Sequence, residues 1–262
     1  MDPTASAPTS FGTVMATKRD DVVVVLPTYN EAATIERVLS AVTGHGLRAL
    51  VVDDASPDGT GRIADELADG DRVWVLHRTA KQGLGPAYTA GFAEAISRGA
   101  EIVCEMDSDL SHDPDDLPRL IASIDGGADL AIGSRYVPGG AVADWSVFRR
   151  VLSRGGNIYA AAMLGSRVKD MTSGFRAYRA EALQRLRPEI AQASGYGFQI
   201  EMAWRARNEG LSVVELPIVF RDREEGSSKM NRAIAVEAIW LVTKWGLSRM
   251  SGRLRLPPGE DR

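Results

Sequence analysis

The sequence predicts a doubly wound α/β fold, a mostly parallel sheet with helices on both faces. Short apolar, β-branched runs recur at residues 22–26, 50–52, 73–76, 102–106 and 130–132, and segments of helical length separate them. Apart from Glu105 in the fourth, no polar residue interrupts the runs, which suits strands covered on both faces rather than strands with one face in water. A chain of 262 residues, 44% of them hydrophobic, is long enough for one large domain with a continuous core.

Composition narrows the function. Lys and Arg total 31 against 35 Asp and Glu, a formal charge of -4, so nothing suggests a nucleic-acid partner held by phosphate neutralisation. Any phosphate must be gripped by local clusters. Cys104 is the sole cysteine and cannot form an intramolecular disulfide, which fits a reducing compartment. No stretch reaches the roughly 18 uncharged apolar residues of a membrane-spanning helix, and the N-terminus lacks a secretory h-region. The chain is therefore expected not to span a membrane. Residues 1–18 and 251–262 read as disordered tails, flanking a catalytic domain at 19–230 and an amphipathic helix at 231–250.

In doubly wound sheets ligands bind beyond the carboxyl ends of the strands. The first run ends in Pro27-Thr28-Tyr29-Asn30-Glu31, where Asn30 is expected to cap the next helix and Glu31 to sit in its first turn. The second ends in Asp53-Asp54, with Asp58 able to cap the helix after it. Acids at this strand end suit a ribose or a base. The first strand-to-helix turn has no G-x-G-x-x-G, and no G-x-x-x-x-G-K-[ST] occurs anywhere, so neither an NAD enzyme nor a P-loop NTPase is supported. The glycine-rich segment from Lys81 to Tyr88 follows the third run. The fourth leads into Asp107-Ser108-Asp109, and two carboxylates so spaced at a buried strand end can share one hard divalent cation that also holds a diphosphate.

Taken in order, PTYNE, DDASPDGT, KQGLGPAY, DSDLSH and GSRY resemble the glycosyltransferase-A fold of glycosyltransferase family two. TSGFRAYR (172–179), GYGFQIEM (195–202) and FRDREEGSSKM (220–230) resemble the later motifs of polyprenol (dolichol) phosphate mannose synthases. The resemblance spans roughly residues 21–232. It implies a metal-dependent inverting enzyme that moves mannose from GDP-mannose to a membrane polyprenol phosphate, with UDP-glucose as the alternative donor and a catalytically silent subunit as the non-enzymatic alternative.

The same resemblance implies the site. Pro27, Tyr29, Glu31, Asp53, Asp54 and Lys81 would hold the nucleoside, and Asp107 and Asp109 would bind Mg²⁺ or Mn²⁺. Family members often carry a Gln two residues beyond the second Asp; here Ser111 stands there, a weaker third ligand. Arg135, Arg149 and Ser153 match positions used for the acceptor phosphate. Arg149 and Ser153 share a helix face. Arg223, Ser228 and Lys229 would close over the donor diphosphate. Tyr196, Phe198, Gln199 and Glu201 come from the segment near the sugar, or form core aromatics. His112 lacks companions at zinc-ligand spacing.

Between 232 and 250, Ile234, Ala238, Leu241 and Trp245 approximate a helical stripe with Trp240 beside it. Such a stripe serves a core face or a membrane interface. The localisation expected is peripheral, on the cytoplasmic membrane face, with a separate membrane anchor as a further partner.

Overall fold

The computed structural model describes residues 18–193, 195–222 and 232–251. Apart from Lys18 and Ser251, the expected tails lie outside these, as do Arg223, Ser228 and Lys229. The first half alternates as β1 (Val22–Thr28), α1 (Ile35–Gly44), β2 (Arg48–Asp53), α2 (Thr60–Leu67), β3 (Val73–His77), α3 (Leu84–Ser97) and β4 (Ile102–Glu105). Then follow α4 (Leu117–Asp125), β5 (Leu130–Ser134), β6 (Ala141–Val142) and α5 (Val147–Leu164). The last part holds β7 (Arg176–Arg179), α6 (Ala180–Leu186), α7 (Tyr196–Asn208), β8 (Val213–Pro217), β9 (Val219–Phe220) and α8 (Arg232–Met250).

Seven strands form one sheet in the order β3-β2-β1-β4-β7-β5-β8, and β6 pairs separately with β9. Each apolar run became a strand, and these strands pair in parallel except across β7. Alternate residues of β1 serve opposite faces. Val23 and Val25 pack into a core with residues of α3, α5, α7 and α8, while Val22, Val24 and Leu26 pack into another with residues of α1 and α4. The covering of both faces inferred from the runs is thus present.

The strand without an apolar signature is β7, antiparallel to both β4 and β5. Its sequence Arg176-Ala-Tyr-Arg179 puts a charge into the interior, for Arg176 is completely buried. An antiparallel strand enters the sheet at the edge where its parallel neighbours end, so the loop before β7 lies beside the ends of β4 and β5.

One expected cap is corrected. Asn30 does not start a helix: it adopts φ 59°, the left-handed conformation that asparagine tolerates. The first helix begins after Thr34, with Thr34 and Ile35 donating to the Glu31 carbonyl. Asp58 does serve the next helix, accepting from the Thr60 amide and hydroxyl, and it also accepts from the Ala32 amide.

The helix α8 packs Leu241, Val242 and Trp245 into the core, with Trp245 stacked on Trp204 at 5.5 Å. Its opposite side is apolar too: Val236, Ile239, Trp240, Leu247 and Met250 are exposed. Of the expected stripe, Leu241 and Trp245 face the core and Ala238 is half-buried, while the Ile234 side chain lies outside what is described; a second apolar face stands behind them.

Helix α3 crosses β1 and β2 so closely that a Cβ on Gly91 would collide with Val25 and Val52. In α5, a Cβ on Gly155 would meet nothing within 4 Å. Both glycines sit in helix interiors, where alanine is intrinsically better by about 1 kcal/mol. Gly91→Ala should nevertheless lower stability by a net ~1–2 kcal/mol through overpacking, and Gly155→Ala should raise it by up to about 1 kcal/mol. Urea unfolding of both variants checks the contrast; a stabilised Gly91→Ala would contradict the close packing.

Candidate active site

A cavity of about 530 Å³ lies over the carboxyl ends of β1, β2, β4 and β5. On one side it is lined by Pro27, Tyr29, Glu31, Asp54 and Lys81. The Lys81 ammonium lies 3.9 Å from the centre of the Tyr29 ring, a cation–π contact that sets a charge beside an aromatic face. Asp53 and Asp54 part company. Asp53 turns into the protein and accepts from Thr28 Oγ1 at 3.1 Å and from Ser56 N and Oγ at 3.2 and 2.6 Å. It ties the ends of β1 and β2 together, whereas Asp54 lines the cavity and pairs with Arg78. Burial raises the Asp54 pKa against the pull of that guanidinium.

At the end of β4, Asp107 and Asp109 line the cavity floor. Asp109 Oδ1 accepts from the Ser111 amide at 3.0 Å across a turn in which Leu110 takes φ 61°. His112 Nδ1 accepts the Asp107 amide at 3.3 Å, and its ring is wedged between Phe175 (4.9 Å) and Phe220 (5.4 Å). The histidine thus braces the backbone of Asp107. Ser111 Oγ is buried with no hydrogen-bond partner, a state that costs about 1–3 kcal/mol unless a ligand relieves it. No group of three or more His, Cys, Asp or Glu among the described residues forms a metal cluster. The two cavity-lining carboxylates are oxygen donors, which fits a hard cation that takes its other ligands from water and a diphosphate; Ser111 does not line the cavity.

Cations occupy the other side. The Arg135 guanidinium donates from Nε and Nη2 to the two Asp170 oxygens at 2.7 and 2.6 Å, and from Nη2 to Thr172 Oγ1 at 2.8 Å. Arg149 donates to both Asp222 oxygens at 3.1 Å and lies 4.0 Å over the Trp145 ring. Ser153 Oγ accepts from the Tyr136 hydroxyl at 2.7 Å. Arg135, Arg149 and Ser153 all line the same cavity as Asp107 and Asp109.

Of Phe198, Gln199 and Glu201, only Gln199 lines the cavity. Phe198 is a core ring stacked on Tyr88. Glu201, two residues and roughly half a turn from Gln199, accepts from the Gln192 and Ala193 amides and pairs with Arg205, so it anchors a loop instead of facing the sugar site. The Tyr196 side chain lies outside what is described. The sequence did not single out Asp170, Thr172, Trp145 or Asp222. Thr172 and Asp222 lie inside the motifs TSGFRAYR and FRDREEGSSKM without having been given a role, and the one advance signal of Asp170 and Trp145 was the need of the arginines for partners.

An acidic strand-end pair and two arginines thus line one cavity at the carboxyl ends of this sheet. Residues 23–187 match the family model described as Glycosyl transferase family 2, and the chain belongs to that family of glycosyltransferases. It is 49% identical to the polyprenol monophosphomannose synthase of Mycolicibacterium smegmatis over 93% of this chain and 92% of that protein. It is 47% identical to the undecaprenyl-phosphate mannosyltransferase of Micrococcus luteus over 87% and 94%. Among solved structures, glucosyl-3-phosphoglycerate synthase of Mycobacterium tuberculosis with Mn²⁺, UDP-glucose and phosphoglyceric acid superposes with a TM-score of 0.65, at 22% identity, over 86% of this chain and 79% of that one. A mannosyltransferase of Pyrobaculum calidifontis with GDP-mannose and Mn²⁺ gives 0.53 at 19% identity, over 92% and 79%. These two likenesses establish the fold.

The Arg135–Asp170 pair yields a prediction. Burial opposes ionisation of Asp170, but Arg135 outweighs it and holds the carboxyl below its ordinary pKa. Its contribution is complete above the unfolded value of about 3.9 and is lost as pH falls through the lower folded value. Asp170→Asn strands a buried charge and should cost about 3–5 kcal/mol at neutral pH. The wild type should also lose more stability than the variant as the pH falls below about 4. Urea titrations across that range measure both; parallel pH profiles would remove Asp170 from the pair.

Proposed function

We propose that this enzyme transfers mannose from GDP-mannose to polyprenol phosphate, with inversion at the anomeric carbon. The observation that carries the reading is the cavity itself, which brings together the strand-end residues and acids, Arg149 and Ser153, and an apolar stretch from α5 and α8. Leu152, Gly156, Tyr159, Ala238, Ile239 and Val242 form that stretch of the lining. The names of the two relatives given above support the same sugar and a lipid phosphate acceptor.

Pro27, Tyr29, Glu31, Asp54 and Lys81 would receive the nucleoside, with Asp53 setting the strand ends beneath them. Asp107 and Asp109, aided by Ser111, would hold Mg²⁺ or Mn²⁺, which offsets the charge that collects on the departing diphosphate. Arg135, Arg149 and Ser153 would take the acceptor phosphate. A phosphate oxygen attacks without losing a proton, so the site needs no dedicated base for the acceptor. Its work is to bring two anions together and to orient them. Arg223, Ser228 and Lys229, which the resemblance assigns to the donor diphosphate, lie outside the described residues.

The acceptor's lipid calls for a membrane. No described helix is long and apolar enough to cross one, yet α5 exposes Val147 (73%), Phe148 (77%), Val151 and Ile158 beside the exposed apolar face of α8. The two helices are joined by a Tyr159–Thr243 hydroxyl contact of 2.6 Å and by Arg249, which donates to the Met163 carbonyl. This paired surface would rest peripherally in the interface of the cytoplasmic leaflet, with Trp240 and Lys244 at headgroup depth. A separate anchor protein belongs to the same proposal.

Four measurements test it. Asp109→Asn should keep the fold, judged by circular dichroism, while removing most turnover, because an amide is a poorer ligand for a hard cation. Wild-type turnover in saturating Mn²⁺ would exclude Asp109 from the metal site. Arg149→Ala should lose roughly 10- to 150-fold in kcat/KM for polyprenol phosphate while GDP-mannose affinity, read by calorimetry, holds; loss of donor affinity in proportion would move Arg149 to the donor side. Phe148→Ser with Trp240→Ser should cut sedimentation with anionic liposomes without changing thermal stability, and undiminished sedimentation would deny the membrane face. Parallel assays with UDP-glucose settle the donor.

A further inference from the structure

We propose that Arg176 is a positioning residue for the acceptor side of this reaction, acting through the loop that carries Asp170 and Thr172. Its guanidinium is completely buried on β7 and faces Glu105 in the adjacent register position of β4. It donates from Nε to the Ser173 carbonyl at 2.8 Å, from Nη2 to the Met171 carbonyl at 3.0 Å and from Nη1 to the Tyr178 hydroxyl at 3.2 Å. Two of these bonds grip the backbone of one short loop. A buried guanidinium is an expensive way to hold a turn, and what the loop carries gives the reason.

Asp170 and Thr172, on that loop, receive the Arg135 guanidinium. Asn157 of α5 holds the same loop from above, accepting from the Thr172 amide at 3.2 Å and donating to its hydroxyl at 3.0 Å. The Ser173 hydroxyl donates to the Gly133 carbonyl at 2.6 Å, which fixes the loop against β5. Gly174 closes the other end, so near the acidic pair that a Cβ there would stand 3.8 Å from Asp107 Oδ1 and 3.7 Å from Gln199 Nε2. Thr172, Ser173 and Gly174 line the cavity. Arg176 therefore sets, from inside the core, the distance between the acids at the end of β4 and the Arg135 guanidinium beside β5. It touches neither substrate.

The inference rests on the acceptor role given to Arg135 above, and the test separates the two. Arg176→Lys keeps a cation near Glu105, but a compact ammonium cannot span both carbonyls and the Tyr178 hydroxyl. Should that variant fold poorly, the double substitution Arg176→Met with Glu105→Gln removes the opposed charges together. The full chain is assayed for GDP-mannose affinity by calorimetry, for kcat and KM with polyprenol phosphate, and for thermal stability, alone and in an Arg135→Ala background. We expect the acceptor KM to rise about tenfold or more with donor affinity within about threefold, and the Arg176 substitution to cost under about twofold once Arg135 is absent. A purely structural residue would cost as much in both backgrounds, so additivity would overturn the proposal, as would wild-type acceptor kinetics or a matching loss of donor affinity. If Arg135→Ala alone leaves acceptor use unchanged, the acceptor reading itself falls and this inference falls with it.

Discussion

Arg135 and Asp170 meet through two parallel hydrogen bonds with almost no access to water, and both the loop before β7 and the cationic wall of the cavity take their shape from that contact. The pair is itself braced. Glu215 on β8 accepts the amides of Lys169 and Asp170 at 2.8 and 3.0 Å, and the Arg135 amide donates to Asp170 Oδ2 at 2.9 Å. A buried ion pair adds little net stability over well-packed apolar side chains, because desolvation offsets most of the attraction. What it supplies here is direction: a planar fork on a planar carboxylate has one good geometry. The guanidinium that results is aimed, and an aimed charge is what an anion-handling site needs.

Strand order then explains how opposite charges share one cavity without cancelling. The segments after β1 and β2 supply Tyr29, Glu31 and Asp54, the one after β4 supplies Asp107 and Asp109, and the one after β5 supplies Arg135 beyond them. Were β5 directly beside β4, acid and arginine would sit on neighbouring strands about 4.8 Å apart. With β7 inserted, they stand two strands apart. Because β7 runs antiparallel, its leading loop fills the gap with Thr172, Ser173 and Gly174, which are small and uncharged. The acids after β4 and the arginine after β5 are kept apart by backbone, and Arg135 finds its counter-charge in Asp170 instead.

Sequence made one part of this plain and hid another for physical reasons. Strands buried on both faces must be apolar, so β1, β2, β3, β4 and β5 were visible as runs, and the residues after them were visible as polar exceptions. The insertion of β7 was invisible, since a strand that carries Arg176 into the core breaks the rule that marks a strand, and Glu105, the Tyr178 hydroxyl and two backbone carbonyls make it tolerable. Asn30 misled because asparagine serves helix caps and left-handed turns equally well. Asp53 and Asp54 read as a pair although successive strand residues face opposite ways, which leaves one acid in the cavity and one in the framework. Glu201 followed the resemblance, yet Arg205, four residues on along the same helix face, marked it in advance as half of an i,i+4 pair.

The C-terminal helix shows where periodicity loses its power. A helix with a single apolar stripe tells core from solvent. In α8 the stripe through Leu241 and Trp245 meets the core, and Val236, Ile239, Trp240 and Leu247 lie open on the other side, so apolar residues occur nearly all round. Such a helix has no pattern to read until a partner is known. The partner is α5, itself exposed at Val147, Phe148 and Val151, and its packing against α8 turns two ambiguous helices into one apolar surface. Residues of both helices also line the cavity. On the function proposed above, a polyprenol chain would stay in the bilayer against these helices while its phosphate reaches Arg149 and Ser153, and only the headgroup would have to leave the interface.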